Sequence, residues 1–518
     1  MHMLAAARGT GRLVNSSSRR CRIEVRSLQA DRMDADGRQL LRLTSSATHS
    51  RSLSTAAVAP RRPSTAPTTI STNTSATSYN TSSSSASARL SQLNNHIPNK
   101  VSNISTALKY STTATTTSDK MSAQAEHPTV LIPGPIEFDD AVLQAMSTPS
   151  ESHVGMPFVH VFGDTLTQLR QLFITSSPDS QPLILSGSGT LGWDVVASNI
   201  IEPGDEVLVL HTGYFGDSFS DCLATYGAKP TQLGAPIGSR PSPQEIEDAL
   251  KGKKYKAVTI THTDTSTGVL SDPKEVAEVV KRVSPETLVV VDGVCSVGCE
   301  EIRFDEWGLD VVLTASQKAV GVPAGLSIMM LSGRAIEAYK SRKVPPGSYY
   351  ASLKNWLPIM QNYEAKKPSY FATPSPQLVR ALNISLTQIL SVPLSQRFEE
   401  HKAASKKIKD AVTSFGLKQL ASEERFQAHG MTAVWLPEGL TPADILPHTA
   451  KEGVVFAGGL HKQAATKYIR IGSMGVSVVS FFPSFPLFLG VMIVVTILMF
   501  VGFRRTRRWG TLTRQLML

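Results

Sequence analysis

The chain has 518 residues, 41% of them hydrophobic and 18% charged, enough for roughly two or three domains around a sizeable core. Its net charge of +10 sits at the ends: residues 1–120 carry 16 Lys and Arg against 5 Asp and Glu, residues 504–518 carry five Arg and no acid, and the middle is left at −6. That distribution argues for targeting or membrane surfaces and excludes a basic nucleic-acid-binding core, and the four cysteines (Cys21, Cys222, Cys295, Cys299) have neither metal-ligand nor disulfide-framework spacing, so they read as reduced and structural, with no metal site.

Residues 1–120 are rich in Ser, Thr, Ala and Arg, with few aromatics and no sustained periodicity. They cannot bury enough apolar surface to fold and are read as a disordered extension. Its Arg-rich, acid-poor start is similar to a mitochondrial transit peptide, with Arg51-Ser-Leu-Ser-Thr-Ala-Ala as a processing site. The alternative is an internal start at Met121, which predicts a cytosolic or peroxisomal protein. Folded sequence begins near Pro128. Val130-Leu-Ile-Pro-Gly-Pro-Ile136 is a short strand closed by a turn containing Pro133 and Gly134, and Val161 to Phe173 carries a helical apolar stripe.

Pro182-Leu-Ile-Leu-Ser-Gly-Ser-Gly-Thr190 is an apolar strand that enters a Gly/Ser turn, with a helix predicted to open at about Thr190. Backbone N–H groups there, with the Ser188 and Thr190 hydroxyls, form an anion site suited to a phosphate. Neither a P-loop nor a Gly-x-Gly-x-x-Gly fingerprint is present. Glu206–Leu210 is the next strand, followed by Tyr214 and Phe215, whose rings either stack on a planar cofactor or pack under the loop. Ala257–His262 is another strand, and Pro273 to Arg282 is helical. The alternation predicts a parallel α/β sheet.

The apolar run Leu288-Val-Val-Val-Val-Asp292 stops at an aspartate, and Asp310-Val-Val-Leu leads to Ser316-Gln-Lys318. This layout is what pyridoxal-phosphate chemistry needs: a lysine that forms a Schiff base with the cofactor aldehyde, and an aspartate that keeps the pyridine nitrogen protonated so that the ring acts as an electron sink. Strand ends are where open α/β sheets place ligand groups. Leu326–Leu331 is a further strand, residues 345–376 read as an aromatic loop, and Gln377 to Phe415 reads as one long helical stretch. It leads to a second, α+β unit with strands at Thr432–Leu436 and Tyr468–Ile471. Arg470, isolated in an apolar strand, is either capped by an internal carboxylate or offered to a substrate carboxylate. Phe481 to Phe503 is almost wholly apolar and long enough to span a bilayer, with Arg504-Arg-Thr-Arg-Arg508 placed toward the cytosol or matrix.

Pro-Gly-Pro near the start, Ser-Gly-Ser-Gly-Thr, Thr-Ser-Thr-Gly-Val-Leu, Val-Asp-Gly-Val-Cys-Ser, Ser-Gln-Lys-Ala and Ile-Arg-Ile-Gly together resemble the class-V, fold-type-I pyridoxal-phosphate aminotransferases over residues 128–478. The alanine–glyoxylate and serine–pyruvate group is nearest. The resemblance implies a large domain (121–375) with a mostly parallel seven-stranded sheet between helices, and a smaller α+β domain (376–479). A transmembrane segment (480–503) and a basic tail (504–518) follow.

Position by position, the resemblance implies that Lys318 forms the Schiff base and shuttles the proton, and that Asp292 pairs with the pyridine nitrogen beside Val294. Ser188, Gly189, Thr190 and Gln317 would hold the phosphate, with Thr373 arriving from a partner subunit of a homodimer. Phe215 would stack on the ring, Thr265 would contact the ring hydroxyl, and Arg470, with Pro133 and Gly134, would bind the substrate. The implied activity is ping-pong transfer of the amino group of L-alanine or L-serine to glyoxylate.

Family members continue after Gly475-Val-Ser-Val with a helix that closes the small domain; here the apolar tail replaces it. Either the chain is tail-anchored or the gene model has run into non-coding sequence. Two rivals follow: a membrane-anchored, catalytically impaired relative, and a cysteine desulfurase or related lyase on the same fold. The latter needs a reactive Cys late in the large domain, and none lies beyond Cys299.

Overall fold

The computed structural model describes residues 124–479. The N-terminal extension, Met121, the apolar segment 480–503 and the basic tail lie outside the described residues. Among the described residues no single helix is long and apolar enough to cross a membrane.

The central sheet has seven strands in the order Gln181–Ser186, Leu326–Leu331, Val311–Ala315, Leu288–Asp292, Ala257–Thr261, Glu206–His211, Lys229–Gly234. Leu326–Leu331 runs antiparallel to both neighbours, and every other pairing is parallel. Six strands therefore point the same way, and Ser186, His211, Thr261, Asp292 and Ala315 end at one edge. The inner strands Leu288–Asp292, Val311–Ala315 and Ala257–Thr261 are buried at every residue. Sheets covered by crossover helices read as continuous apolar runs for this reason, and each fully buried Val or Leu contributes about 1.5–3 kcal/mol.

Helices Met156–Leu172 and Leu353–Glu364 pack on the Gln181–Ser186 edge, while Thr190–Val195 and Tyr214–Thr225 pack over the inner strands. Helix starts are set locally. Asp139 caps Asp140–Met146, Asp272 caps Pro273–Val283, and Ser242 with Glu245 forms a capping box.

The C-terminal unit holds a three-stranded antiparallel sheet ordered Met431–Trp435, Tyr468–Gly472, Ala457–Gly458. Its core joins Ile408 and Val412 of the helix Leu394–Ser414 to Val434, Ile445, Ile469 and Ile471.

The first strand, Thr129–Val130, pairs in parallel with Val454–Val455 of the C-terminal unit, Leu131 is in that unit's core, and the Gly472 N–H donates to the Leu131 carbonyl at 2.7 Å. Two expectations are corrected. The 345–376 segment contains the helix Leu353–Glu364, whose Leu353, Trp356, Leu357 and Met360 are buried. The stretch from 377 to 415 is two helices, Pro376–Ile389 and Leu394–Ser414, bent by 87°. Pro393, which has no N–H to continue a helix, sits at the start of the second.

Candidate active site

Asp292 closes its strand with a side chain only 3% exposed. One carboxylate oxygen accepts the Val294 N–H at 3.0 Å, and the other accepts the Trp193 indole N–H at 2.9 Å. Burial pushes its pKa up to about 6, against the pull of those two donors and of Lys318.

Lys318 follows the strand Val311–Ala315 and is buried. Its amine donates to the Pro133 carbonyl. Burial lowers its pKa and the nearby Arg470 charge adds to that, while Cys295 and Asp292 act the other way. The Pro133–Gly134 turn reaches the lysine because the first strand is tied to the C-terminal unit. Gly134 has φ +104°, and a Cβ there would lie 2.6 Å from Lys318 Cε, so glycine alone fits.

The Ser188–Thr190 turn follows Ser186. The helix Thr190–Val195 starts at Gly189 with no side-chain cap, and no acceptor in the described chain takes the Ser188, Gly189 or Thr190 N–H. A Cβ on Gly189 would come 3.0 Å from Ala315 Cβ and 3.1 Å from Val294 Cγ2. Close backbone approach thus brings three strand-end loops together. Gln317 presents a buried side-chain oxygen with no hydrogen-bond partner.

Phe215 lies in the first turn of the helix Tyr214–Thr225, its ring centroid 6.4 Å from that of Trp193. That turn is pinned by Ser266, whose hydroxyl accepts the Tyr214 N–H at 3.0 Å and donates to the buried Asp264 at 2.6 Å. The Thr265 carbonyl accepts from Arg470 at 3.1 Å, and the Gly458 carbonyl does so at 2.7 Å. Arg470 forms no ion pair with a carboxylate among the described residues, and its half-buried guanidinium keeps donors in hand. Small Ala433 and Ala457 are its register partners on either side.

Lys318, Asp292, Val294, Ser188, Gly189, Thr190, Phe215, Thr265, Gln317, Arg470, Pro133 and Gly134 therefore belong to one constellation. Thr373 does not join it within the chain: it is exposed, and no hydrogen bond links it to these residues, although the Ser375 N–H donates to Ser186 Oγ at 3.2 Å. Sequence reasoning passed over Trp193, Asp264 and Tyr468. Tyr468 is buried, its hydroxyl accepting the Leu460 and His461 N–H groups at 2.8 Å each and donating to the Ser266 carbonyl at 2.5 Å. A buried aromatic with a polar tip, two residues from Arg470 on the same strand face, was the available signal.

These residues fit pyridoxal phosphate. The free Ser188, Gly189 and Thr190 N–H groups suit its phosphate, Phe215 its ring face, a buried charged Asp292 its ring nitrogen and a buried Lys318 its aldehyde. A desulfurase-like lyase has no reactive thiol to use among the described residues. Burial pushes Cys222 up to about 12, and Cys295 and Cys299 are buried and also raised.

The family model described as aminotransferase class-V matches residues 140–482. The alanine–glyoxylate aminotransferase 1 of Saccharomyces cerevisiae is 46% identical over 365 residues, covering 67% of this chain and 92% of that one. A serine–glyoxylate aminotransferase of Hyphomicrobium methylovorum is 30% identical over 355 residues, 67% of this chain and 85% of its own. Among solved structures, an alanine–glyoxylate aminotransferase from Nostoc sp. superposes with a TM-score of 0.66 at 27% identity, covering 74% of this chain and 97% of that one.

Proposed function

The chain belongs to the class-V aminotransferases, a pyridoxal-phosphate-dependent family of fold type I, and from that premise we propose that it transfers the amino group of L-alanine, or of L-serine, to glyoxylate. The products are glycine and pyruvate or hydroxypyruvate. The relatives named for these reactions support the reading. The observation that carries it is Arg470: a cation tied, among the described residues, only to the Gly458 and Thr265 carbonyls, beside a buried Lys318 whose pKa it helps to lower. Every substrate in the scheme carries a carboxylate next to the reacting carbon.

When bound, the cofactor supplies an aldehyde that links to amines and a ring that accepts the electron pair freed at Cα. Ser188, Gly189, Thr190 and Gln317 would hold its phosphate, Phe215 its ring face, Thr265 its hydroxyl, Asp292 with Val294 its ring nitrogen, and Lys318 its aldehyde. Arg470 clamps the substrate carboxylate with the edge of its fork that the two carbonyls leave free. Lys318 Nζ, its pKa lowered by burial, takes the proton from the substrate Cα and returns it. The Pro133–Gly134 turn walls the pocket on the lysine side and holds it to small substrates.

The same reading makes the protein a homodimer in which Thr373 reaches the partner's phosphate site. It assigns residues 1–120 to mitochondrial import and residues 481–503 to membrane contact. Cross-linking of a Thr373→Cys variant, and fractionation of cells, test these assignments. The activity is tested by incubating the purified chain with L-alanine and glyoxylate. Pyruvate and glycine should form one for one, and formation of neither, with L-serine also inert, would refute the proposal.

A further inference from the structure

Trp193 stands where three parts of the site meet. It lies on the short helix that opens at the Ser188–Thr190 turn. Its face stacks on Phe219, with centroids 5.3 Å apart and planes at 12°, and it meets Phe215 at 65°. The stack sets the plane of the indole, and the N–H lies in that plane, aimed at Asp292 Oδ2 at 2.9 Å. Only 6% of the residue is exposed, so no water competes for the donor. The adjoining Gly192 lets the helix come close: a Cβ there would be 3.2 Å from Leu313 Cβ, on the strand next to Asp292.

We propose that Trp193 is a positioning residue for the cofactor: its indole N–H holds the Asp292 carboxylate aimed and ionised, so that Asp292 can receive a protonated pyridine nitrogen. The inference rests on the reading that Asp292 serves that nitrogen. A carboxylate oxygen keeps lone pairs after accepting one donor. With Oδ1 on the Val294 N–H and Oδ2 on the indole, Asp292 can turn neither way, and a further donor meets a fixed acceptor.

The charges around Asp292 set the sign. Lys318 favours its ionised form and Asp264 opposes it. The His262 N–H, on the neighbouring strand end, donates to the Asp292 main-chain carbonyl at 2.9 Å, and burial pushes the His262 ring down to about 4, leaving it neutral near pH 6. Removing the indole donor therefore raises the pH at which Asp292 loses its proton.

The test binds pyridoxal phosphate to the cofactor-stripped full chain across about pH 5.5 to about 8.5, comparing wild type, Trp193→Phe and Asp292→Asn. Phe keeps a ring on Phe219 while removing the donor and part of the indole's volume, and a loss from volume alone would not vary with pH. Trp193→Phe should bind about tenfold more weakly below neutral pH, with the affinity midpoint moved up by about one pH unit and the gap closing at the alkaline end. A Trp193→Phe curve that superposes on wild type, while Asp292→Asn is weakened, overturns the inference. If Asp292→Asn also binds like wild type, the Asp292 assignment falls and takes the inference with it.

A second measurement needs no variant. In the cofactor-free wild type, one of the five indole N–H resonances should move with a midpoint near pH 6. Five indole signals all flat across that range would overturn the proposal.

Discussion

The backbone of Gly134 lies against the side chain of Lys318, closely enough that a single added methyl would stand 2.6 Å from Lys318 Cε. The preceding carbonyl, of Pro133, is the acceptor for the lysine amine. The turn that walls the pocket is thus also the lysine's resting partner. Gly134→Ala meets both a steric collision and a φ of +104° that L side chains avoid. It is expected to cost about 1–3 kcal/mol of stability and at least about a hundredfold in kcat/KM, since small displacements at the reacting group cost that much. Thermal unfolding and steady-state rates check both.

Arg470 is held by two carbonyls and answered by no carboxylate among the described residues. Arg470→Lys keeps a charge but loses the fork. KM is expected to rise about tenfold to a hundredfold for amino acid and keto acid alike, with kcat changed less. An amine without a carboxylate should react equally slowly with both proteins. Equal KM values in the variant and the wild type would contradict the clamp.

His401 ties the C-terminal unit together as a neutral ring. Nδ1 lies 2.8 Å from the Arg397 carbonyl, and Nε2 accepts the Gly475 N–H at 3.2 Å. With a donor on one side and an acceptor on the other, a second ring proton has no place. Burial first, then the Arg397 charge, pushes the pKa down to about 3. The folded pKa is below the unfolded one, so the unfolded state binds the proton first, and the stability present above about pH 6.5 is lost as pH falls toward 3. By pH 5 the loss from this group is about 2 kcal/mol. Urea unfolding should show it, and His401→Gln should flatten the decline between pH 7 and pH 5.

Much of this was legible in the chain because inner parallel strands are buried on both faces. Leu288–Asp292 and Val311–Ala315 read as unbroken apolar runs, and their ends pointed to Asp292 and Lys318. What was not legible depends on distant partners. Nothing local in Thr129–Val130 says that it pairs with Val454–Val455. Pro358 inside Leu353–Glu364 masked a helix that buried Trp356 and Met360 stabilise. Trp193 meets Asp292 across 99 residues, so its donor role emerges only once the fold closes.

The most direct test of the central claim is the absorbance of the full chain reconstituted with pyridoxal phosphate, read before and after adding L-alanine. A band at roughly 410–430 nm should give way to one near about 330 nm, and glyoxylate should bring it back. A band that ignores L-alanine and L-serine, or a change that glyoxylate cannot reverse, would contradict transamination between these partners.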